Sequence, residues 1–154
     1  MSEQPPVRPI TILMAEDDED DRLLTQEAME EARVINELRF VEDGQELLDY
    51  LRQRGRFAEP GAAPRPGLIL LDLNMPRMDG RQALERIKAD PELRRIPVVV
   101  LTTSKAEEDI LRSYDLGAAS FITKPVTFAS LVQVVRTLDH YWTGIVQLPP
   151  AAER

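Results

Sequence analysis

Four short apolar runs in this chain each end in a polar group suited to phosphate or to a metal cation. Ile10 to Ala15 is followed by Glu16, Asp17 and Asp18, and Leu68 to Leu71 by Asp72. Pro97 to Leu101 is followed by Thr102, and Ala119 to Thr123 by Lys124 and Pro125. If the runs are parallel strands, their carboxyl ends share one edge of a sheet, and open α/β sheets bind ligands outside that edge. Carboxylates, a hydroxyl and an ammonium would converge there. Crowded carboxylates repel one another, and a hard divalent cation relieves the repulsion. The expected cofactor is therefore Mg2+, with Asp17 and Asp72 bound directly, Glu16 through water, and the backbone carbonyl of Asn74 completing the sphere. Such a site is equipped to capture a phosphoryl group on a carboxylate. Lys124 would meet one phosphoryl oxygen as a point charge and Thr102 another as a hydroxyl donor.

Taken singly, each of these residues has a plainer role. The acidic run from Glu16 to Asp21 could be a solvated helix start, Asp72 a turn or cap, Thr102 the cap of the next helix and Lys124 a surface lysine. Their placement at four strand ends is what argues for chemistry.

The elements that would hold them alternate five times between a short apolar run and a helical pattern, which argues for an α/β doubly wound sheet. The first strand leads to a helix near Asp20 to Arg33, with Leu23, Leu24, Ala28 and Ala32 on one face. A second strand near Glu37 to Val41 precedes a helix carrying Leu47, Leu48 and Leu51 that fades by Arg56. AEPGAAPRP, Ala58 to Pro66, is read as an extended surface loop and the least constrained connection. After the third strand, NMPRMDG supplies a turn in which Pro76 fixes one backbone angle and Gly80 permits conformations closed to other residues. Helices are expected over Arg81 to Ala89, Lys105 to Leu116 and Phe128 to Trp142. Strands are expected over Ile96 to Leu101 and Ala118 to Thr123, and Gly117 is expected to cap a helix.

The 154 residues suit one domain: a flexible lead over 1–9, a folded unit over 10–143 and a tail over 144–154. The formal charge of -8 repels nucleic acid and anionic lipid alike, so neither is an expected partner. No apolar run is long enough to span a membrane, and the start lacks a hydrophobic signal segment. The absence of cysteine excludes disulfides and thiolate metal sites and suits a reducing compartment. These features point to the cytoplasm.

With ILMAEDDE, LLDLNMPRMDG, VVVLTTS and FITKP, the chain resembles the receiver domain of two-component response regulators over Ile10 to Trp142. The resemblance implies a five-stranded parallel sheet in the order 2-1-3-4-5, a flavodoxin-like receiver fold with helices on both faces. It implies a sensor histidine kinase as phosphoryl donor, Asp72 as acceptor, and a switch formed by Thr102 and Phe121. It also implies that Asn74 and Ser104 tune autodephosphorylation. Phosphorylation would draw Thr102 inward and let Phe121 occupy the vacated space. Phe121 lacks the hydroxyl of the tyrosine often found at its position.

No output domain is expected after the final helix, so the effect of phosphorylation would pass through protein contacts. In that helix Phe128, Leu131, Val132, Val135 and Trp142 make the expected core stripe. Val134, Leu138, Tyr141 and Ile145 widen it, which is read as a homodimer surface through the last helix and tail, the alternative being a tail folded over it. LTTSKAEEDILRSYDLGAASFITKPV, the Pro-rich insertion and WTGIVQLP most resemble single-domain regulators paired with bacterial phytochromes, so the kinase would be a bacteriophytochrome. The lone His140 is read as a surface or interface residue rather than a phosphodonor.

Two other readings compete. A magnesium-dependent phosphatase of the haloacid dehalogenase type would need an aspartate two residues after the nucleophile, where this chain has Asn74. A binding module with a receiver fold that takes no phosphate is opposed by the filled set of Glu16, Asp17, Asp72, Thr102 and Lys124.

Overall fold

Apolar, β-branched runs bounded by turn residues form strands that are covered on both faces, and three of these make the middle of the sheet. A computed structural model describes residues 11–32, 37–75 and 78–137. Its elements in chain order are β1 (Thr11–Ala15), α1 (Glu19–Ala32), β2 (Glu37–Val41), α2 (Gly44–Arg52) and, after a 3-10 turn at Gly55–Phe57, β3 (Pro66–Asp72). There follow α3 (Gly80–Ala89), β4 (Val98–Thr102), α4 (Lys105–Arg112), β5 (Ser120–Thr123) and α5 (Phe128–Thr137). The sheet order is β2-β1-β3-β4-β5, all parallel, as the resemblance implied.

The pleat sorts side chains by parity. Ile12, Met14, Leu68, Leu70, Val99, Leu101 and Ile122 face one side and join Ala28 and Met29 of α1 and Leu131 and Val134 of α5. Leu13, Ala15, Ile69, Leu71, Val98 and Val100 face the other, against Leu47 and Leu48 of α2, Leu84 and Ile87 of α3, and Leu111 of α4. Each fully buried Leu or Ile contributes about 1.5–3 kcal/mol relative to exposure. These two layers therefore lock the register. Ala15 lies opposite Leu71, Asp72 opposite Leu101, and Thr102 opposite Thr123. Continuing the parity, Glu16, Asp72 and Lys124 fall on the α1 and α5 side, and Thr102 on the α4 side with Phe121 and Thr123.

Side chains start the helices. Asp18 accepts from the backbone N–H groups of Asp20 and Asp21 at 2.8 and 3.2 Å. Asp43 accepts from Glu46 at 2.8 Å, Asp79 from Gln82 at 2.9 Å and Ser104 from Glu107 at 3.1 Å. Each such cap contributes about 1 kcal/mol.

Several elements depart from the expectations drawn from the sequence. In α1, Leu23 and Leu24 are exposed; of the expected face Ala28 is buried, and Thr25 and Met29 are buried with it. Arg22 beside them fixes the helix rotation, because its Nε donates to the Glu16 carbonyl at 2.7 Å and its guanidinium lies over the Phe40 ring at 5.4 Å. The loop over residues 58–65 is not loose: Arg39, Tyr50 and Gln53 donate to the carbonyls of Ala62, Pro64 and Ala63 at 3.0, 2.8 and 3.2 Å. Arg65 in turn reaches the Glu92 carbonyl at 2.6 Å. Helix α4 stops at Arg112 because Ser113 and Tyr114 bond three residues back, to Ile110 and Leu111, and Asp115 is left-handed at φ 49°. Gly117, also left-handed at φ 84°, crosses Lys88 rather than capping α4; a Cβ there would stand 3.1 Å from Lys88 Cγ. In α5 the buried pair is Leu131 and Val134, with Phe128 and Val132 only half-buried. Trp142 lies outside the described residues. Among those described, no helix is long and apolar enough to cross a membrane.

Candidate functional site

The carboxyl edge of the sheet gathers the polar strand ends. Lys124 Nζ lies 2.9 Å from Glu16 Oε1, 3.1 Å from Asp21 Oδ2 and 3.0 Å from Asp72 Oδ2. The ammonium directs hydrogen bonds at Asp21 and Asp72, whereas Glu16 Oε1 meets it as an ion pair without hydrogen-bond angles. Carboxylate oxygens of Glu16, Asp17 and Asp72 come within 4.8 Å of one another, close enough to hold one metal ion. Glu16 and Asp72 are buried and Asp17 is exposed, so a cation would enter from the Asp17 side. Three oxygen donors of this kind suit a hard divalent ion.

Electrostatics here follow from burial. Desolvation pushes the Glu16 carboxyl up from its ordinary 4.5 to about 7, against the Lys124 contact that lowers it and with the Asp72 charge that raises it further. Burial would push Lys124 down, but Glu16, Asp72 and Asp21 outweigh it and hold the ammonium above its ordinary range. One lysine thus faces more negative charge than it can neutralise, and a cation added beside Asp17 would relieve the excess.

Asp72 is fixed at its other oxygen too. The Asn74 N–H donates to Oδ1 at 3.1 Å, which keeps the carboxylate from rotating. The backbone around it is stitched tightly: Gly80 N–H donates to the Leu73 carbonyl at 3.0 Å, and Gly44 N–H to the Met78 carbonyl at 2.8 Å. A Cβ at Gly80 would collide with the Asp72 carbonyl and with Leu73 Cα. The need for glycine at 80 is therefore close approach of two backbones, and not the unusual dihedral expected from the turn.

Thr102 is fully buried, and its hydroxyl turns to β5, donating to the Ile122 carbonyl at 3.4 Å and to Thr123 Oγ1 at 3.5 Å. Phe121 is half-buried and packs on the core layer under α4. Ser104 spends its hydroxyl as the α4 cap. Val134 is 3% exposed and belongs to the core beneath α5, so the burial of that turn removes it from the surface on which it was expected. Leu138, Tyr141 and Ile145, with His140, lie outside the described residues.

Sequence reading missed Asp21. Its type and place suit helix-start charge, yet it shares Lys124 across 103 positions of sequence. A signal was present: Asp21 belongs to the acidic run that begins at Glu16 and lies in the first turn of α1, directly after the end of β1.

A sequence model described as the response regulator receiver domain matches residues 12–136. Response regulator Rcp1 of Synechocystis is 41% identical over 143 residues, spanning 93% of this chain and 95% of Rcp1. The crystal structure of its Mn2+-bound form matches with a TM-score of 0.69 over 92% of this chain and 100% of that one. The phosphorylated cyanobacterial phytochrome response regulator RcpA is 46% identical, with a TM-score of 0.70 over 92% of this chain and 99% of RcpA. The bacteriophytochrome response regulator AtBRR is 40% identical and matches with a TM-score of 0.80, over 88% of this chain and 96% of AtBRR.

Proposed function

Since this chain belongs to the response regulator receiver domain family, we propose that it accepts a phosphoryl group on Asp72 from a sensor histidine kinase, with Mg2+, and signals through a changed protein-interaction surface. The observation that carries this reading is the grip of Lys124 on Asp72, Glu16 and Asp21 beside a carboxylate trio able to hold a cation. The receiver unit is taken as residues 10–143, with a lead over 1–9 and a tail over 144–154, acting in the cytoplasm.

In the transfer step an Asp72 oxygen attacks phosphorus, the N–P bond of the donor phosphohistidine breaks, and the released imidazole nitrogen keeps the electron pair and takes up a proton. Glu16, Asp17, Asp72 and the Asn74 carbonyl would hold the cation, which when bound neutralises charge on the phosphoryl oxygens. Lys124 pairs with a phosphoryl oxygen once its partner Asp72 has become an acyl phosphate. The Asn74 N–H on Oδ1 orients the carboxylate for attack. The product carries roughly -1.5 to -2 charges and new acceptor oxygens, by analogy with other phosphorylated side chains. Thr102 then exchanges its long contacts with β5 for a phosphoryl oxygen, and Phe121, two residues before Thr123 on the same face, moves into the space released. Asn74 and Ser104 would tune the loss of the phosphoryl group.

Likeness to the phytochrome response regulators RcpA and AtBRR supports a bacteriophytochrome as the kinase. Homodimerisation through the end of α5 and the tail, with Leu138, Tyr141 and Ile145, is part of the same reading. Sedimentation of the unphosphorylated protein should show a dimer, and a monomer at high concentration with and without phosphodonor would refute that part. The central claim is tested with radiolabelled acetyl phosphate and Mg2+. Stoichiometric labelling without steady turnover is expected, lost in Asp72→Asn; undiminished labelling of the variant would overturn it.

A further inference from the structure

The unphosphorylated placement of Phe121 needs something to hold it, and the ring has no hydroxyl with which to make a hydrogen bond. Its face is the one polar handle it has, an electron-rich surface that attracts cations. Arg112 supplies the cation: its Cζ lies 4.5 Å from the Phe121 ring centroid. The guanidinium is not free to drift. Arg112 Nε donates to Glu108 Oε2 at 2.8 Å, one turn earlier on α4, and Lys105 Nζ donates to the same oxygen at 3.1 Å.

Glu108 is 8% exposed, unusual for a carboxylate on a surface helix. Burial alone would raise its pKa, but the hydrogen bonds from Arg112 and Lys105 bring it below the ordinary carboxylate range. It is a charged anchor at the base of α4, and the pair it makes fixes the angle at which Arg112 covers the ring. The ring also borders an open cleft of about 490 Å³ walled by Lys105, Glu108, Ile122 and Gln133, so apolar packing encloses it on the core side and not on this one.

We propose that Arg112 is a positioning residue for the Phe121 switch, holding the ring outward through a cation–π contact that Glu108 aligns. The inference builds on the receiver reading above and adds what resists the switch. When Phe121 moves toward Thr102 it leaves the guanidinium, so phosphorylation must break this contact. The same step frees the Arg112 guanidinium, whose side chain is already half exposed beside the cleft, changing how its charge is presented at the edge of α4 and β5. An ordinary i,i+4 ion pair on a helix surface would do neither.

The test uses the full chain labelled with 4-fluorophenylalanine, which reports four rings, Phe40, Phe57, Phe121 and Phe128, by fluorine NMR. The Phe121 signal is assigned with Phe121→Leu. In Arg112→Gln the Phe121 resonance should move toward its position in the phosphorylated wild type. The labelling rate with acetyl phosphate and Mg2+ should rise by about twofold to fivefold, the range such a contact spans at an exposed site. Arg112→Lys should restore both to near wild type, since an ammonium also attracts the ring. Lys105→Gln removes a Glu108 partner without touching the ring and should leave the resonance in place. An Arg112→Gln protein with unchanged resonance and rate would overturn the proposal. If wild type takes label while the Phe121 resonance stays still, the switch itself fails and this inference with it; if wild type takes no label, the receiver reading fails first.

Discussion

Glu16→Gln should make the metal-free protein more stable at pH 8, by an amount that the burial of Glu16 sets. The side chain is fully buried, and its carboxyl titrates near 7 in the fold against an ordinary 4.5. Between those values the folded state keeps the proton and the unfolded chain releases it, so stability falls as pH rises from about 4.5 to about 7 and is level above. At about 1.4 kcal/mol per unit of separation, the loss between pH 5 and pH 8 comes to about 2–3 kcal/mol. The amide of the variant has no proton to release. The stability of the variant minus that of wild type should therefore widen by about 2–3 kcal/mol from pH 5 to pH 8, equivalent to about 5–10 °C in melting temperature for a chain of this size. Urea unfolding in a chelator at each pH measures it, and taking the difference cancels every group the two proteins share. Adding Mg2+ at pH 8 should then stabilise wild type more than the variant and narrow the gap. A difference that stays constant across this pH range, or a variant less stable than wild type at pH 8, would refute the claim that desolvation governs this carboxylate.

Other perturbations follow from the same geometry. Gly80→Ala forces a methyl group into the Asp72 carbonyl and Leu73 Cα, and should cost about 1–3 kcal/mol in urea unfolding while slowing labelling of Asp72. Unchanged stability would mean that the loop yields. Ser104→Ala removes the acceptor for the Glu107 N–H and should destabilise by about 1 kcal/mol, with Ser104→Asp retaining the cap. Tyr50→Phe leaves the Pro64 carbonyl without its 2.8 Å donor. It should cost about 1 kcal/mol and speed proteolytic cleavage within residues 58–65, whereas cleavage at the wild-type rate would show that the loop is held by its other contacts.

The sheet's elements and the acceptor site were legible because both are local grammar. Apolar runs of strand length, each closed by a polar residue, name the strands and their reactive ends together. Strand order came from likeness to a family, since periodicity carries no information about which strands are neighbours. Elsewhere the expectations failed where a contact distant in sequence decides. Leu23 and Leu24 lie on a plausible apolar stripe, yet Arg22 turns α1 by reaching Glu16 and Phe40. The Pro- and Gly-rich segment after α2 reads as slack, yet Arg39, Tyr50 and Gln53 take up its carbonyls. By itself, then, the sequence determined which chemical groups stand at the carboxyl edge and that a cation and a phosphoryl group suit them. Only the tertiary structure decided that Asp21 shares Lys124, that Glu16 holds its proton near neutrality, that Val134 belongs to the core and that Arg112 lies over Phe121. Each of these depends on desolvation or on a partner brought close by sheet register and helix rotation, and those are properties of the whole packed chain.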